Sequence, residues 1–328
     1  MKSLKTRSKL ALAAVLAAVG WGGAAKAMSL TPAGTTLGFT LTTFADQFPV
    51  ASGVGPLGVA FVPGGTVLVS DYPGTVRVFP NDSNGQHAPA APVAQNYGGG
   101  NAIDLVQAGG SIYMTQQAGG NLVQINNDGT FNQLIASGMP AATGAVTDPV
   151  NGHVFVSTLG NNVIWDVDPI AKSKALFVNA AADGLSISPD GKTVYAEVGG
   201  HILGYDTGTK LQTFDSGAVP GGPDGAAVGF GTLAGNIFVN TNGGTVYEVN
   251  LSTSAQTLIA TGGTRGDFVT VDPSDGSLLL TQTDQILRLT PAAGGSFNGT
   301  PLPAAAWSGM ALMLAMVGFR WMARPRTA

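Results

Sequence analysis

Between Gly55 and Leu289 the hydrophobic residues come in short runs that alternate with polar ones, and each run is closed by a turn rich in Gly, Pro, Asn or Asp. The clearest unit is Leu185-Ser-Ile-Ser-Pro-Asp-Gly-Lys-Thr-Val-Tyr-Ala-Glu-Val-Gly-Gly-His-Ile-Leu-Gly-Tyr-Asp206. It holds an apolar run, a Pro-Asp-Gly turn, a β-rich run, a Gly-Gly turn and a third, alternating run. Alternation of this kind marks a strand with one face buried. The turn prolines Pro63, Pro149, Pro189 and Pro273 set the spacing, with gaps of 86, 40 and 84 residues, or five steps of 42. A period near 40 with several strands per unit predicts an all-β fold, a six-bladed β-propeller around a central channel.

First strands are expected at residues 58–62, 102–106, 144–148, 184–188, 225–229 and 267–272. They are rich in Gly, Ala and Val because inner strands converge on a narrow axis. Second strands are expected at 67–70, 112–115, 154–158, 193–197, 237–240 and 278–282. Thr75-Val-Arg-Val-Phe79 and Asn121-Leu-Val-Gln-Ile125 show the alternation of third strands. The sixth unit has only three strands, and an extra run at 37–44 precedes the first. Pairing that run beside residues 285–289 closes the ring and removes the exposed sheet edges. Residues 291–300 read as a flexible spacer.

Gly at 48 residues supplies the turns that many short strands need. Cysteine is absent, which excludes disulfides, thiolate metal sites and a Cys nucleophile. Basic residues gather at the ends: five precede Met28 and three follow Phe319, leaving 7 Lys+Arg against 19 Asp+Glu in the body, a balance of −12. Such a surface repels phosphate backbones, so no nucleic acid is expected as a partner.

Residues 1–27 have a basic start, an apolar run from Leu10 to Gly20 and small residues ending in Ala25-Lys26-Ala27. This is the order of a secretory signal cleaved after Ala27, with Ala25 and Ala27 as the signal-peptidase contacts. At the other end, residues 302–319 carry no charge, and Arg320, Arg324 and Arg326 follow. That predicts a transmembrane helix stopped on the cytoplasmic side. The core Pro301-Leu302-Pro303-Ala304 with Ala306-Trp307, the single helix and the terminal arginines together resemble the PEP-CTERM sorting signal of Gram-negative bacteria, in its V-P-L-P-A variant. Thr300 stands where that motif usually has Val, and the arginines are dispersed. The resemblance implies export across the inner membrane, processing by an exosortase-like sorting enzyme, and residence at the cell surface or outside the cell. The expected organisation is a signal peptide at 1–27, the propeller at 28–290, the spacer at 291–300 and the sorting signal at 301–328.

Ser188-Pro-Asp-Gly-Lys-Thr-Val-Tyr195 and Val271-Asp-Pro-Ser-Asp-Gly276 resemble YVTN and NHL-type repeats, which also occur in gluconolactonase-like propellers. That resemblance bears on fold, since propellers host enzymes and inert binding platforms alike.

Loops at the channel mouth offer the candidate ligand-binding residues Asn101, Asp183, Asp224, Asp267, Asp71 and Asn162, with Arg265 nearby. Asp183, Asp224 and Asp267 recur at corresponding places in three consecutive blades, so their carboxylates converge near the axis. With Asn101 they are hard oxygen donors of the kind that hold a divalent cation. Asp before Gly is also a common turn cap. His87, His153 and His201 show no metal-binding spacing, no GxSxG elbow is present, and no catalytic residue stands out. The first reading is therefore an exported, surface-sorted propeller that acts without a cofactor as a binding or matrix scaffold for a surface or matrix ligand. The alternative is a metal-dependent, gluconolactonase-like hydrolase with its site at the channel mouth. The resemblance puts an acidic metal ligand near the start of the first blade in that case, and none is evident here.

Overall fold

The computed structural model describes residues 27–299. The signal peptide apart from Ala27, with Ala25 in it, and the whole sorting segment with Pro301, Leu302 and Pro303 lie outside the described residues. Among the described residues no helix is long and apolar enough to cross a membrane.

Six antiparallel sheets follow one another along the chain and close into a ring. Blade 1 is built from Pro56–Phe61, Val67–Asp71, Thr75–Phe79 and Val93–Asn96, and blade 2 from Leu105–Ala108, Ser111–Gln116, Asn121–Ile125 and Phe131–Ala136. Blade 3 uses Ala142–Thr147, Val154–Thr158, Val163–Asp168 and Ser173–Asn179; blade 4 uses Ala182–Ile187, Thr193–Val198, His201–Asp206 and Gln212–Ala218. Blade 5 is Pro223–Val228, Asn236–Thr241, Val246–Asn250 and Gln256–Thr261. Blade 6 takes Gly266–Val271, Leu278–Gln282 and Ile286–Thr290 from one end of the chain and Thr40–Asp46 from the other. The last two strands run antiparallel from Thr40 opposite Thr290 to Ala45 opposite Ile286. The ring is thus closed by the N-terminal run, as the strand count predicts.

Apolar faces of neighbouring blades form the core. Phe155, Ile164 and Phe177 of blade 3, for example, pack with Leu185, Val194 and Ala196 of blade 4. The strand aromatics Phe155, Tyr195 and Phe238 are buried, and Tyr247 is partly so. Asp128, Asp190 and Asp275 each accept from the backbone N–H two residues on, which makes them turn caps.

Three features depart from the sequence expectation. The first strand of blade 2 begins at Leu105, because the Asp104 carboxylate takes the N–H groups of Leu105 and of Ala145 in blade 3, both at 2.8 Å. Residues 291–299 are not a flexible spacer: Phe297 is 2% exposed and stacks among Phe39 and Phe238, with ring centroids at 6.4 and 4.9 Å. Gly295–Ser296 pairs there with Phe230–Gly231. One buried aromatic outweighs the surrounding Gly and Ser, so the propeller body runs to Gly299. Finally, the N-terminal segment does more than close the ring. Ser29–Leu30 extends blade 5 beside Gln256–Thr261, and Gln86–His87 pairs parallel to the end of Thr40–Asp46.

Arg288, on the third strand of blade 6, locks this closure. Its guanidinium is 4% exposed and donates to Asp272 (2.6 Å), Asp275 (3.1 Å), Ser277 (2.8 Å), Asn84 (3.0 Å) and the Asp82 carbonyl (2.6 Å). Each histidine is also held by a carboxylate through Nδ1: His87 by Asp46, His153 by Asp166 and His201 by Asp215, at 2.6, 2.7 and 2.7 Å.

Candidate functional site at the channel mouth

In five blades the ladder between first and second strands shifts immediately after its first pair. Such a bulge re-aims the next side chain, and the residues it re-aims are Leu57, Thr143, Asp183, Asp224 and Asp267. Ile103 completes the ring in blade 2, where its carbonyl accepts from Gly58 of blade 1 at 3.0 Å. The floor of the mouth is therefore two-sided. Leu57 and Ile103 cluster with Val54, Phe268 and Tyr72 on one side, while Asp183, Asp224 and Asp267 form the other.

Crowding at the axis explains why Gly follows Thr143, Asp183 and Asp224. A Cβ on Gly225 would lie 2.6 Å from the Asp267 carbonyl oxygen, and one on Gly144 would lie 2.8 Å from Gly184 Cα. The Asp-Gly pairs thus reflect close approach of inner strands, beyond any role as turn caps.

A second layer of polar side chains stitches the inner strands together. Ser70 donates to the Ile103 carbonyl at 2.5 Å, Thr115 to Thr143 at 2.5 Å, Ser157 to Asp183 at 2.5 Å and Asn240 to Asp267 at 3.0 Å. In blade 4 the same strand position is Glu197. It is 4% exposed, and neither carboxyl oxygen has a hydrogen-bond partner. Burial pushes its carboxyl up to about 8, reinforced by the negative charges of Asp183 and Asp104.

Arg265 sits over the acidic side of the ring, 2.8 Å from Asp267 Oδ1 and 3.5 Å from Asp224 Oδ2. Asp224 and Asp267 are 1% and 3% exposed and meet the same Nη2 of Arg265. Burial raises both carboxyls, Asp224 well above the usual range with help from the charges of Asp183 and Asp267. Asp267 is raised to about 6, burial outweighing the opposing pull of Arg265. Two buried carboxyls in one site cannot both ionise cheaply, so the pair retains a proton near neutrality. Burial works against the charge on Arg265, yet the carboxylates of Asp267, Asp224 and Asp183 hold its proton affinity above the ordinary value. Asp183 is half-buried and takes one hydrogen bond, from Thr143 Oγ1 to its Oδ1 at 2.8 Å. Over this floor lies a cavity of about 240 Å³, lined by Tyr72, Gln117, Thr143, Asp183, Arg265 and Asp267 among others. A larger, mostly aliphatic cavity of about 570 Å³, which Asp104 lines, opens at the other end of the channel.

Of the sequence candidates, Asp183, Asp224 and Asp267 are brought together. Asn101 is not: it accepts from the Gly119 N–H at 2.9 Å and donates to the Tyr97 carbonyl at 3.3 Å, capping its own loop. Asp71 is fully buried and accepts from the N–H groups of Gly74 and Thr75 at 3.1 and 2.8 Å. Asn162 occupies a left-handed turn position with φ 57°. Glu197 is the site residue that strand patterning overlooks; aligning Ser70, Thr115, Ser157 and Asn240 with it exposes the one acid in a row of small polar residues.

Hard divalent ions need several oxygens disposed about one point. Here the guanidinium of Arg265 already pairs with Asp224 and Asp267, and the Asn101 amide is taken up by Gly119 and Tyr97. Among the described residues no group of three or more His, Cys, Asp and Glu is placed to hold a metal ion. The donor set does not fit a metal-dependent hydrolase.

No family model and no curated protein sequence matches the chain. Solved structures do. The XC5397 gluconolactonase from Xanthomonas campestris superposes with a TM-score of 0.63 at 17% identity, covering 80% of this chain and 94% of that one. A streptogramin B lyase gives a TM-score of 0.54 at 14% identity, over 77% and 98% of the two chains. An auxiliary nutrient binding protein from Bacteroides thetaiotaomicron gives 0.57 at 10% identity, over 76% of each. At these identities the likeness establishes the six-bladed propeller, with gluconolactonases among its structural neighbours, and leaves the chemistry to the residues of the mouth.

Proposed function

We propose that this protein is a hydrolase of the gluconolactonase-like kind that opens a small cyclic ester at the channel mouth, using a carboxyl pair and an arginine where a metal ion is expected. The observation that carries the reading is the buried Asp224–Asp267 pair under Arg265. In this scheme Asp267 takes a proton from water as its oxygen adds to the ester carbonyl carbon. Arg265, partly exposed at the mouth, donates to the carbonyl oxygen as it gains negative charge. The ring C–O bond then breaks, and the proton held by the pair passes to the departing alkoxide. Burial and the charges of Asp183 and Asp267 keep a proton on Asp224, and Glu197 lies beneath. A passive scaffold has no use for such a buried acid pair, which favours the hydrolase over the scaffold reading.

The termini give the proposed setting. Cleavage after Ala27 and sorting through Pro301, Leu302 and Pro303 place the propeller beyond the inner membrane of a Gram-negative cell, with signal peptidase and an exosortase-like enzyme as processing partners. The test of the activity is hydrolysis of a panel of small lactones, neutral and amine-bearing, by the purified full-length protein. We expect turnover that survives EDTA and falls by roughly 10²–10³ in kcat for Arg265→Ala, the scale of losing one preorganised oxyanion donor. Abolition by EDTA with recovery on adding Ca²⁺ refutes the arginine-based scheme, and no turnover of any lactone refutes the hydrolase.

A further inference from the structure

The mouth is divided into an apolar half and an acidic half, and the division has a chemical consequence for what it binds. Leu57, Ile103 and Phe268 present hydrocarbon, with Tyr72 beside them. Facing them, Asp183 uses one carboxyl oxygen on Thr143 and makes no hydrogen bond with the other among the described residues. Behind it, Glu197 has no partner for either oxygen, and Asp267, which lines the cavity, has none for Oδ2, although both residues are more than nine-tenths buried. Arg265 makes its ion pairs with Asp224 and Asp267 and acts on Asp183 only at longer range. Buried acceptors without donors are costly, and a ligand that brings a donor and a positive charge relieves that cost.

We propose that the mouth recognises a small organic cation, an ammonium group attached to an apolar body, with the ammonium on Asp183 and the body against Leu57, Ile103, Tyr72 and Phe268. The cavity of about 240 Å³ limits the ligand to a small molecule. Aromatic residues beside a carboxylate suit an alkylammonium, since the ring face adds attraction for the charge. This ligand class rests on the mouth being the working site of the proposed hydrolase, so the substrate would be a cyclic ester carrying an amine. Neutral sugar lactones then rank as poor substrates of the same site.

Binding is measured apart from turnover, by calorimetry on the full-length protein with three probes: 2-phenylethylammonium, the neutral 2-phenylethanol and the polar cation ethanolammonium. The expected result is binding of 2-phenylethylammonium at least about tenfold tighter than of either other probe, a loss of about tenfold in Asp183→Asn, and competition between 2-phenylethylammonium and lactone in the hydrolysis assay. Equal binding of the alcohol and the ammonium overturns the cation, and this comparison needs no variant. Equal binding of ethanolammonium overturns the apolar half, and displacement of the amine by millimolar Ca²⁺ overturns the ligand class in favour of a metal site. Lactone hydrolysis without amine binding removes this inference and leaves the hydrolase standing; amine binding without hydrolysis does the reverse.

Discussion

Replacing Glu197 by Gln should stabilise this protein, and by an amount that depends on pH. Its carboxyl is carried from an ordinary 4.5 to about 8 by burial and by the charges of Asp183 and Asp104. Between those values the unfolded chain has released the proton while the folded chain keeps it. The native state then binds more protons than the unfolded one, so this residue's contribution to stability falls as pH rises from about 4.5 to 8. At pH 7 the gap is about 2.5 pK units, or about 3 kcal/mol at 1.36 kcal/mol per unit. Gln carries no titrating proton and offers an N–H donor, as Asn240 does to the Asp267 carbonyl at 3.0 Å in the next blade. The variant should therefore match the wild type near pH 4 and melt roughly 6–12 °C higher at pH 7, taking about 2–4 °C per kcal/mol for a domain of this size. Scanning calorimetry at pH 4, 5.5, 7 and 8 reads the effect as a widening gap between two proteins. A gap constant across that range means that Glu197 does not hold its proton in the folded state, and the argument from its burial fails.

Arg288→Ala should destabilise by about 3–5 kcal/mol, because it leaves the fully buried Asp272 without its partner, and chemical denaturation read by tryptophan fluorescence will show it. Phe297→Ala should cost about 3–5 kcal/mol by the same measurement, whereas a residue in a loose spacer would cost almost nothing. Gly225→Ala should lower stability and disturb the mouth together, since its new methyl meets the Asp267 carbonyl oxygen; calorimetric melting and the lactone assay are expected to move in step. For the proposed reaction, kcat should fall below pH about 6 as Asp267 loses the capacity to accept a proton, and Asp267→Asn should abolish that limb along with most of the rate.

The strands were legible because each blade is specified locally: alternation along Thr75–Phe79 and the Pro-Asp-Gly turn before Thr193 need no distant partner to be read. The closing strand was legible by counting, since blade 6 lacked a fourth strand and residues 37–44 had no blade. The convergence of Asp183, Asp224 and Asp267 followed from the repeat itself, which puts equivalent positions at equivalent radii. What stayed hidden depends on contacts across many residues. Phe297 is buried by Phe39 and Phe238, which lie 258 and 59 residues away in sequence, and nothing in Gly-Gly-Ser-Phe-Asn announces them. Arg288 draws partners from the 82–84 loop, some 200 residues away in sequence. Asn101 was misplaced because an Asn in a mouth loop looks the same whether it faces the channel or caps its own backbone.

The acidic half of the mouth is hard to explain as architecture. Blades 1 and 2 put Leu57 and Ile103 at the ring positions where blades 4, 5 and 6 put Asp183, Asp224 and Asp267, and the ring closes as well on one side as on the other. Glu197 fills a slot that Ser70, Thr115, Ser157 and Asn240 fill with donors that bridge to the next blade, and it forgoes that bridge. Glu197, Asp224 and Asp267 cost the fold free energy when buried, as their raised proton affinities record. Stability alone would favour small polar or aliphatic side chains at those three places. Clustered, destabilising acids over a cavity are what a site that moves protons or captures a cation requires, and they occur at the end of the channel where Arg265 can meet a ligand. The same comparison predicts that Asp183→Leu, copying blade 1, yields a more stable protein that has lost the function of its mouth.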